Sequence, residues 1–233
     1  MYDRDTYDTN AGPLAILPIH HATFVMEWNG QTLYCDPVGG PERFKPLPPP
    51  TLVILTHHHG DHFDPATLDA ILAEETTIIA PRIVYDQMPA DFQSRTRLMN
   101  NGDTTSVNGI TITAIPMYNT TPERQKFHEK GVGNGYLFDF AGTVVYLASD
   151  TEPTPEMAEL GPIDIAFFPM NLPYTMTPDQ VAECIAITAP RYVYPFHYRF
   201  PYDQPAREPV EVEAELPEGS KVQIVARDWY KAV

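Results

Sequence analysis

Residues 56–62 read Thr-His-His-His-Gly-Asp-His and concentrate metal-binding side chains in one short stretch. The stretch holds four of the chain's eight histidines together with one carboxylate. Neutral imidazoles and carboxylates that converge in a loop are ligands for zinc or another borderline first-row metal. A solvated histidine-rich loop is the alternative, and the elements on either side of the stretch argue against it.

The spacing within this motif predicts which side chains converge. In an extended chain His57 and His59 project to the same side, while the histidine between them points away. Gly60 is predicted to take a positive φ and to turn the chain sharply. Asp61 and His62 then face the same space from another direction. The motif therefore predicts an incomplete ligand shell that other parts of the chain must close.

The flanking elements place the motif at the mouth of an α/β site. Residues 51–55 form an apolar, partly β-branched run, typical of a buried strand. After the motif, Asp64 can cap a helix that has Pro65 at its first position. Asp150 and His197 also follow apolar strand-like runs directly. Because a sheet brings strand ends together, we expect both residues to complete the shell begun by the histidine motif.

Composition and charge limit the classes of function. The chain has 233 residues and a formal net charge of −16, which argues against binding to a nucleic-acid backbone or an anionic membrane surface. No apolar run approaches a membrane-spanning length, and the first residues lack the features of a signal peptide, so we expect a cytoplasmic protein. Cys35 and Cys184 show no disulfide or zinc-ribbon spacing and are predicted to be small buried hydrophobic residues.

The remaining pattern predicts one α/β domain over residues 1–233. Residues 14–36 read as a hairpin around Asn29-Gly30, residues 82–95 as a helix, and residues 97–116 as a β ribbon. A long polar loop is predicted over 117–135, and loops of this length are usually functional or disordered.

The H-x-H-x-D-H motif at 57–62, together with Asp150 and His197 at strand ends, resembles the metallo-β-lactamase superfamily. The similarity is greatest to the branch of ascorbate-6-phosphate lactonase-like and related metal-dependent hydrolases, and it covers about residues 14–226. What the resemblance implies is a four-layer αββα sandwich, in which two mixed sheets pack face to face with helices on the outer faces. The metals lie at one edge of the sandwich.

The resemblance also implies a ligand set. It assigns six residues to two metal ions, with His57 and His59 in the first site, Asp61, His62 and His197 in the second, and Asp150 as the bridge. Asp61 and Asp150 are the implied catalytic carboxylates. Asp36 would hold the histidine loop from behind. His21 would lie near the pocket, as a functional residue or as a structural hydrogen-bonding one.

One feature departs from the superfamily pattern. The loop after the strand at 110–116 usually supplies a third histidine to the first site, but here it begins Met117-Tyr118-Asn119. Three explanations stay open: the first site is weak or empty, Asn119 coordinates through its amide oxygen, or His128 folds back as a ligand or substrate contact. Tyr118 is a further candidate contact in this variant loop.

These observations predict a metal-dependent hydrolase that activates water with Zn²⁺, as one or two ions, or alternatively with Mn²⁺ or Fe²⁺. The substrate is expected to be a small lactone, ester, amide or phosphoester. Arg124, Lys126 and Lys130 on the long loop favour an anionic one. The alternatives are a mono-iron oxidoreductase and a non-catalytic metal-stabilised binding protein. No nucleic-acid or membrane partner is expected, and a homo-oligomer stays open.

Overall fold

The first seven strands of the chain form the first sheet, in chain order. The structure, a computed structural model, describes residues 2–199 and 208–231. The strands are β1 (Asp5–Thr9), β2 (Gly12–His20), β3 (Thr23–Trp28), β4 (Gln31–Cys35), β5 (Leu52–Ile54), β6 (Thr77–Ala80) and β7 (Thr96–Leu98). Strands β1 to β4 pair antiparallel, and β4 to β7 pair parallel. The parallel half therefore ends along a single edge, from which the histidine motif emerges.

The second sheet repeats this plan. Its strands are β8 (Thr104–Val107), β9 (Ile110–Met117), β10 (Gly133–Phe140), β11 (Thr143–Leu147), β12 (Ile165–Pro169), β13 (Tyr192–Phe196) and β14 (Gln223–Ile224). Strands β8 to β11 are antiparallel, and β11 to β14 are parallel. Both sheets are thus mixed, and each delivers the carboxyl ends of its parallel strands to the edge where the site forms.

In the described part of the chain, five α-helices complete the sandwich: α1 (Pro65–Ile71), α2 (Arg82–Tyr85), α3 (Ala90–Ser94), α4 (Pro178–Thr188) and α5 (Glu211–Glu215). Leu68, Val84 and Phe92 pack helices α1 to α3 against the outer face of the first sheet. Helix α1 has the predicted cap, since the Asp64 carboxylate accepts from the amide of Ala66. The expected αββα arrangement of two mixed sheets is confirmed.

The core lies between the two sheets. Phe24 on β3 stacks on Phe167 on β12, with ring centroids 4.1 Å apart, and Trp229 near the carboxyl end packs edge-on against both rings. Full burial of each such ring contributes about 1.5–3 kcal/mol. Two hydrogen bonds also connect the sheets beside the histidine motif. The hydroxyl of Tyr136 donates to the carbonyl of Leu55 at 3.0 Å, and the backbone N–H of Asn134 donates to the carbonyl of Thr56 at 2.9 Å.

Several local predictions need correction. The helix predicted over 82–95 is two helices, because Pro89 has no amide proton and stands at the N-cap of α3. The ribbon predicted over 97–116 is divided between sheets, since β7 pairs with β6 while β8 and β9 form a hairpin in the second sheet. Strand β1 and helix α5 were not predicted; β1 is a polar edge strand without an apolar signal. The long loop ends before Gly133, where β10 begins.

The predicted domain of 1–233 includes residues 1, 200–207 and 232–233, which lie outside the described residues. Within the described ranges, no helix is long and apolar enough to cross a membrane.

Candidate metal centre

The site is built where the chain turns away from strand ends. At the edge that carries the site, four residues within two positions of a strand end have a positive φ: His21 (54°), Asp36 (43°), Ser149 (57°) and His197 (52°). Residues other than glycine rarely adopt this left-handed backbone conformation, and those that do are concentrated at functional sites. The prediction of a positive φ at Gly60 is wrong. The chain turns between His59 and Asp61 without a left-handed residue.

Three histidines form the first ligand set. Ring nitrogens of His57, His59 and His128 all lie within 4.8 Å of one another. The Nε2 atom of His57 is 3.1 Å from Nδ1 of His59. His128 comes from the long loop between β9 and β10, and its buried Nε2 makes no hydrogen bond. Of the three explanations for the missing third histidine, the structure therefore brings His128 into the site.

Asn119 lies behind His128. Its Oδ1 accepts a hydrogen bond from Nδ1 of His128 at 2.6 Å, and its Nδ2 donates to the carbonyl of Tyr174 at 2.8 Å. The amide oxygen is thus used to orient the imidazole, with Nε2 of His128 facing the other two histidines. Tyr118 points elsewhere, since its hydroxyl donates to Glu156 at 2.9 Å.

A second cluster combines His21, Asp61, His62 and His197. The Oδ2 atom of Asp61 lies 3.1 Å from Nε2 of His21 and 3.3 Å from Nε2 of His197. The three histidines are buried, whereas the Asp61 side chain is 17% exposed. His21 is consequently part of this cluster and contacts the predicted catalytic carboxylate directly.

Asp150 lies between the two ligand sets. Its Oδ2 is 3.3 Å from Nε2 of both His128 and His197, and its Oδ1 is 3.4 Å from Nε2 of His62. Its carboxylate is also 4.0 Å from Nε2 of His57. This is the position expected of a carboxylate that contacts two metal ions.

The residues present fit metal ions. Nε2 of His62, Nε2 of His128 and Oδ1 of Asp150 are buried without a hydrogen bond. Such orphaned polar groups are costly, and a cation among them would satisfy all three. Donor sets of imidazole nitrogen and carboxylate oxygen suit Zn²⁺, and also other first-row dications.

The electrostatics keep several of these groups in ligand form, but His62 differs: burial would lower its pKa, and the carboxylates of Asp150 and Asp61 raise that pKa well above its usual range. Burial lowers the pKa of His57 well below its usual range, that of His59 to about 4 and that of His21 to about 3. These imidazoles are therefore neutral at pH 7. Burial alone would raise the pKa of Asp150, but the neighbouring His197 and His62 hold that pKa well below its usual range, so the carboxylate is ionised.

Asp36 supports the histidine loop from behind. Its carboxylate accepts from the amide and hydroxyl of Thr56, at 2.9 and 2.6 Å, and from Nδ1 of His62 at 2.8 Å. The hydroxyl of Thr56 also lies 3.0 Å from Nδ1 of His57. One carboxylate thus orients His62 directly and His57 through a threonine.

Two further residues support the site, and neither is among the predicted site residues. Thr56 lies between the strand and the histidines, and this position is a sequence signal for such a role. Tyr230 places its hydroxyl 2.8 Å from Nδ1 of His21. No sequence signal connects Tyr230 with a histidine so far away along the chain.

A cavity of about 320 Å³ opens beside the first ligand set. All three histidines of that set line it, and so does His58, which was predicted to point away from the ligands. Apolar side chains form much of the remaining wall: Ile83, Met117, Phe127 and Val132. The metal centre is therefore adjacent to a space of small-molecule size.

The chain resembles known proteins over most of its length. The profile of the β-lactamase superfamily domain matches residues 16–197. A UPF0173 metal-dependent hydrolase of Thermococcus kodakarensis is 30% identical over 218 residues, which cover 88% of this chain and 92% of that protein.

Solved structures show the same relationship. A protein of Parabacteroides distasonis, assigned as a metal-dependent hydrolase, is 33% identical and superposes with a TM-score of 0.88 over 99% of this chain and 100% of its own. Igni18, a metallo hydrolase of Ignicoccus hospitalis, shares the fold at 22% identity, with a TM-score of 0.76 over 94% of this chain and 97% of its own. The chain belongs to the metallo-β-lactamase superfamily.

Proposed function

We propose that this protein is a metal-dependent hydrolase that acts on a small molecule held in the cavity beside the three-histidine set. The position of Asp150 carries this proposal. One buried carboxylate lies against histidines of both ligand sets, and it keeps an oxygen without a hydrogen bond. The similarity to proteins named metal-dependent hydrolases supports the same class.

The two ligand sets divide the binding roles. His57, His59 and His128 would hold one ion, and Asp61, His62 and His197 would hold another, with Asp150 between them. When bound, such ions supply Lewis acidity toward a carbonyl or phosphoryl oxygen and lower the pKa of a coordinated water. Zn²⁺ suits the nitrogen-rich donors best, and Mn²⁺ or Fe²⁺ would accept the same residues.

Asp61 and Asp150 are the carboxylates that would orient the nucleophilic water. Burial would raise the pKa of Asp61, but His62 and hydrogen bonds from His197 and His21 hold it well below its usual range. Asp61 therefore stays ionised at neutral pH and accepts a hydrogen bond from the water instead of its proton. His21 acts through Asp61, since it holds Oδ2 from the buried side.

The geometry bears on the alternatives. A missing third histidine would favour the mono-iron oxidoreductase, and the nearness of His128 to His57 and His59 supports the hydrolase instead. A non-catalytic binding protein would have a sealed site, whereas a cavity of about 320 Å³ borders the ligands here. Lactones, esters, amides and phosphodiesters all remain candidate substrates.

The test is hydrolysis of one representative of each of these four bond types by zinc-loaded protein, compared with Asp150→Asn. We expect at least one class to be hydrolysed and the variant to lose about 100-fold or more in kcat/KM, because a ligand to both ions is weakened. Asp69→Asn, on the exposed face of α1, is the matched control and should retain activity. Equal activity of wild type and Asp150→Asn would refute the proposal.

A further inference from the structure

We propose that the cavity beside the three-histidine set selects a monoanionic substrate with an apolar body, and that Lys126 binds its anionic group. This deepens the proposed function by naming the substrate class. The argument concerns the three cations of the long loop, Arg124, Lys126 and Lys130, which differ in what their charges already contact.

Arg124 is committed to the fold. Its guanidinium forms an ion pair with the buried carboxylate of Glu152 and donates to the carbonyl of Thr175 at 2.8 Å. The Glu152 carboxylate also accepts from the amides of Thr120 and Thr121 at 2.7 and 2.6 Å. With so many internal partners, Arg124 anchors the loop and is not available to a substrate.

Lys130 is likewise committed. Its ammonium pairs with Glu156 and lies 4.6 Å from the centroid of the Tyr118 ring. Arg124 and Lys130 therefore fasten the loop on both sides of the segment 126–129, which faces the cavity. Because the segment is fixed at both ends, one of its side chains can contact a substrate from a defined position.

Lys126 is the loop cation that lines the cavity. Its Nζ lies 5.3 Å from the centroid of the Phe127 ring. Over residues 2–199 and 208–231, no carboxylate forms an ion pair with Lys126. In a protein with a net charge of −16, an ammonium that borders the candidate active site without a carboxylate partner favours an anionic ligand.

The surroundings favour a single negative charge. Glu129 lines the same cavity, so the wall carries one ammonium and one carboxylate. Phosphate sites usually combine several charged or backbone donors, and a dianion would be repelled by Glu129. Apolar residues such as Ile83, Met117 and Val132 line the cavity together with the ligand histidines. The chemistry therefore fits a carboxylate joined through an apolar segment to the bond that is cleaved.

Calorimetric titration of zinc-loaded protein with hexanoate and with hexanamide tests this proposal. The two probes share an apolar chain and differ in charge, so the ratio of their Kd values isolates recognition of the anion. We expect Lys126→Met to weaken hexanoate relative to hexanamide by about fivefold, the upper range for a partly exposed ion pair. Lys221→Met removes the same charge from the surface outside this cavity and should leave the ratio unchanged.

Two results would overturn the proposal. An unchanged ratio in Lys126→Met would mean that the carboxylate binds elsewhere, including at the metal ions. An equal change in both variants would mean that only the overall charge of the protein matters. Because binding is measured without turnover, failure of the hydrolase proposal leaves this readout intact, and the two proposals fail separately.

Discussion

Asp36 belongs to neither ligand set, but its hydrogen bonds orient the imidazoles of two residues that do. It accepts from Nδ1 of His62 and, through Thr56, it also fixes His57. A histidine that binds a metal needs a hydrogen-bond partner for its other ring nitrogen, because this bond fixes the tautomer and the orientation of the ring. Asp36 is itself fully buried, so removing its charge leaves few ways for the loop to adapt.

Asp36→Asn should therefore lower the affinity for zinc by about 10- to 100-fold, the usual effect of losing such a supporting residue. Competition with a chromogenic chelator would measure it. Asp69→Asn, an exposed acid on α1, serves as the control. If both variants bind zinc as tightly as the wild type, Asp36 has no role in orienting His62.

The sequence pattern predicts the candidate ligands that follow strands. For the missing third histidine, it offers His128 as one of three explanations. His57, Asp150 and His197 each come just after an apolar run, so strand ends predict that they meet. His128 lies on a loop with no periodic pattern. Its position depends on Asn119 and on contacts to other parts of the chain, which no local signal records.

At the scale of elements, the loop over residues 118–132 is positioned by a carboxylate that follows β11. Glu152 comes two residues after Asp150 and accepts hydrogen bonds from the loop at Thr120 and Thr121, in addition to its ion pair with Arg124. The segment after β11 that supplies Asp150 thus also secures the loop that supplies His128.

Glu152→Gln should destabilise the protein by about 1–3 kcal/mol, because buried amides and a guanidinium lose a charged acceptor. Burial raises the pKa of Glu152, but the bonds from Thr121 and the charge of Arg124 lower it below its ordinary value of 4.5. The carboxylate therefore stabilises the fold above pH 4.5, and this contribution is lost as the pH falls through the lower, folded-state pKa.

Urea unfolding of metal-free wild type and variant at several pH values would measure this difference. The difference in free energy of unfolding should be full at pH 7 and should shrink in acid. A difference that is independent of pH would show that the charge of Glu152 does not secure the loop.

The packing of β10 against the histidine motif requires a glycine at 133. A Cβ there would lie 2.8 Å from Sδ of Met117 and 3.0 Å from Cβ of His57. Gly133→Ala should cost about 1–3 kcal/mol as an overpacked core does, and should displace His57. Thermal unfolding would show it. Gly60→Ala is the control, because a Cβ at Gly60 has nothing within 4 Å and should be tolerated.

At the scale of the whole molecule, the two sheets close around a centre that contains ionised carboxylates and unsatisfied imidazoles. The αββα arrangement was predictable from the family resemblance that the motif and the strand-end residues carry. The division of strands between the sheets was not, because β7 and β8 are adjacent in sequence and carry similar short polar patterns. Strand β7 pairs with β6 whereas β8 pairs with β9, and no local signal marks where the chain passes from one sheet to the other.

Removal of metal should lower the stability of the entire fold. A ligand at 100 times its Kd stabilises a folded protein by about 2.7 kcal/mol. We expect a chelator to lower the Tm measured by calorimetry by several degrees, and excess Zn²⁺ to restore it. An unchanged Tm would indicate that the buried histidines and carboxylates satisfy one another without metal.

We propose that His128 completes a three-histidine site, so that one chain holds two metal ions. Elemental analysis of the zinc-loaded protein tests it directly when wild type, His128→Ala and His58→Ala are compared. His58 lines the same cavity but belongs to neither ligand set. We predict two ions per chain in the wild type and in His58→Ala, and one in His128→Ala. A single ion in the wild type, or two in His128→Ala, would contradict the claim.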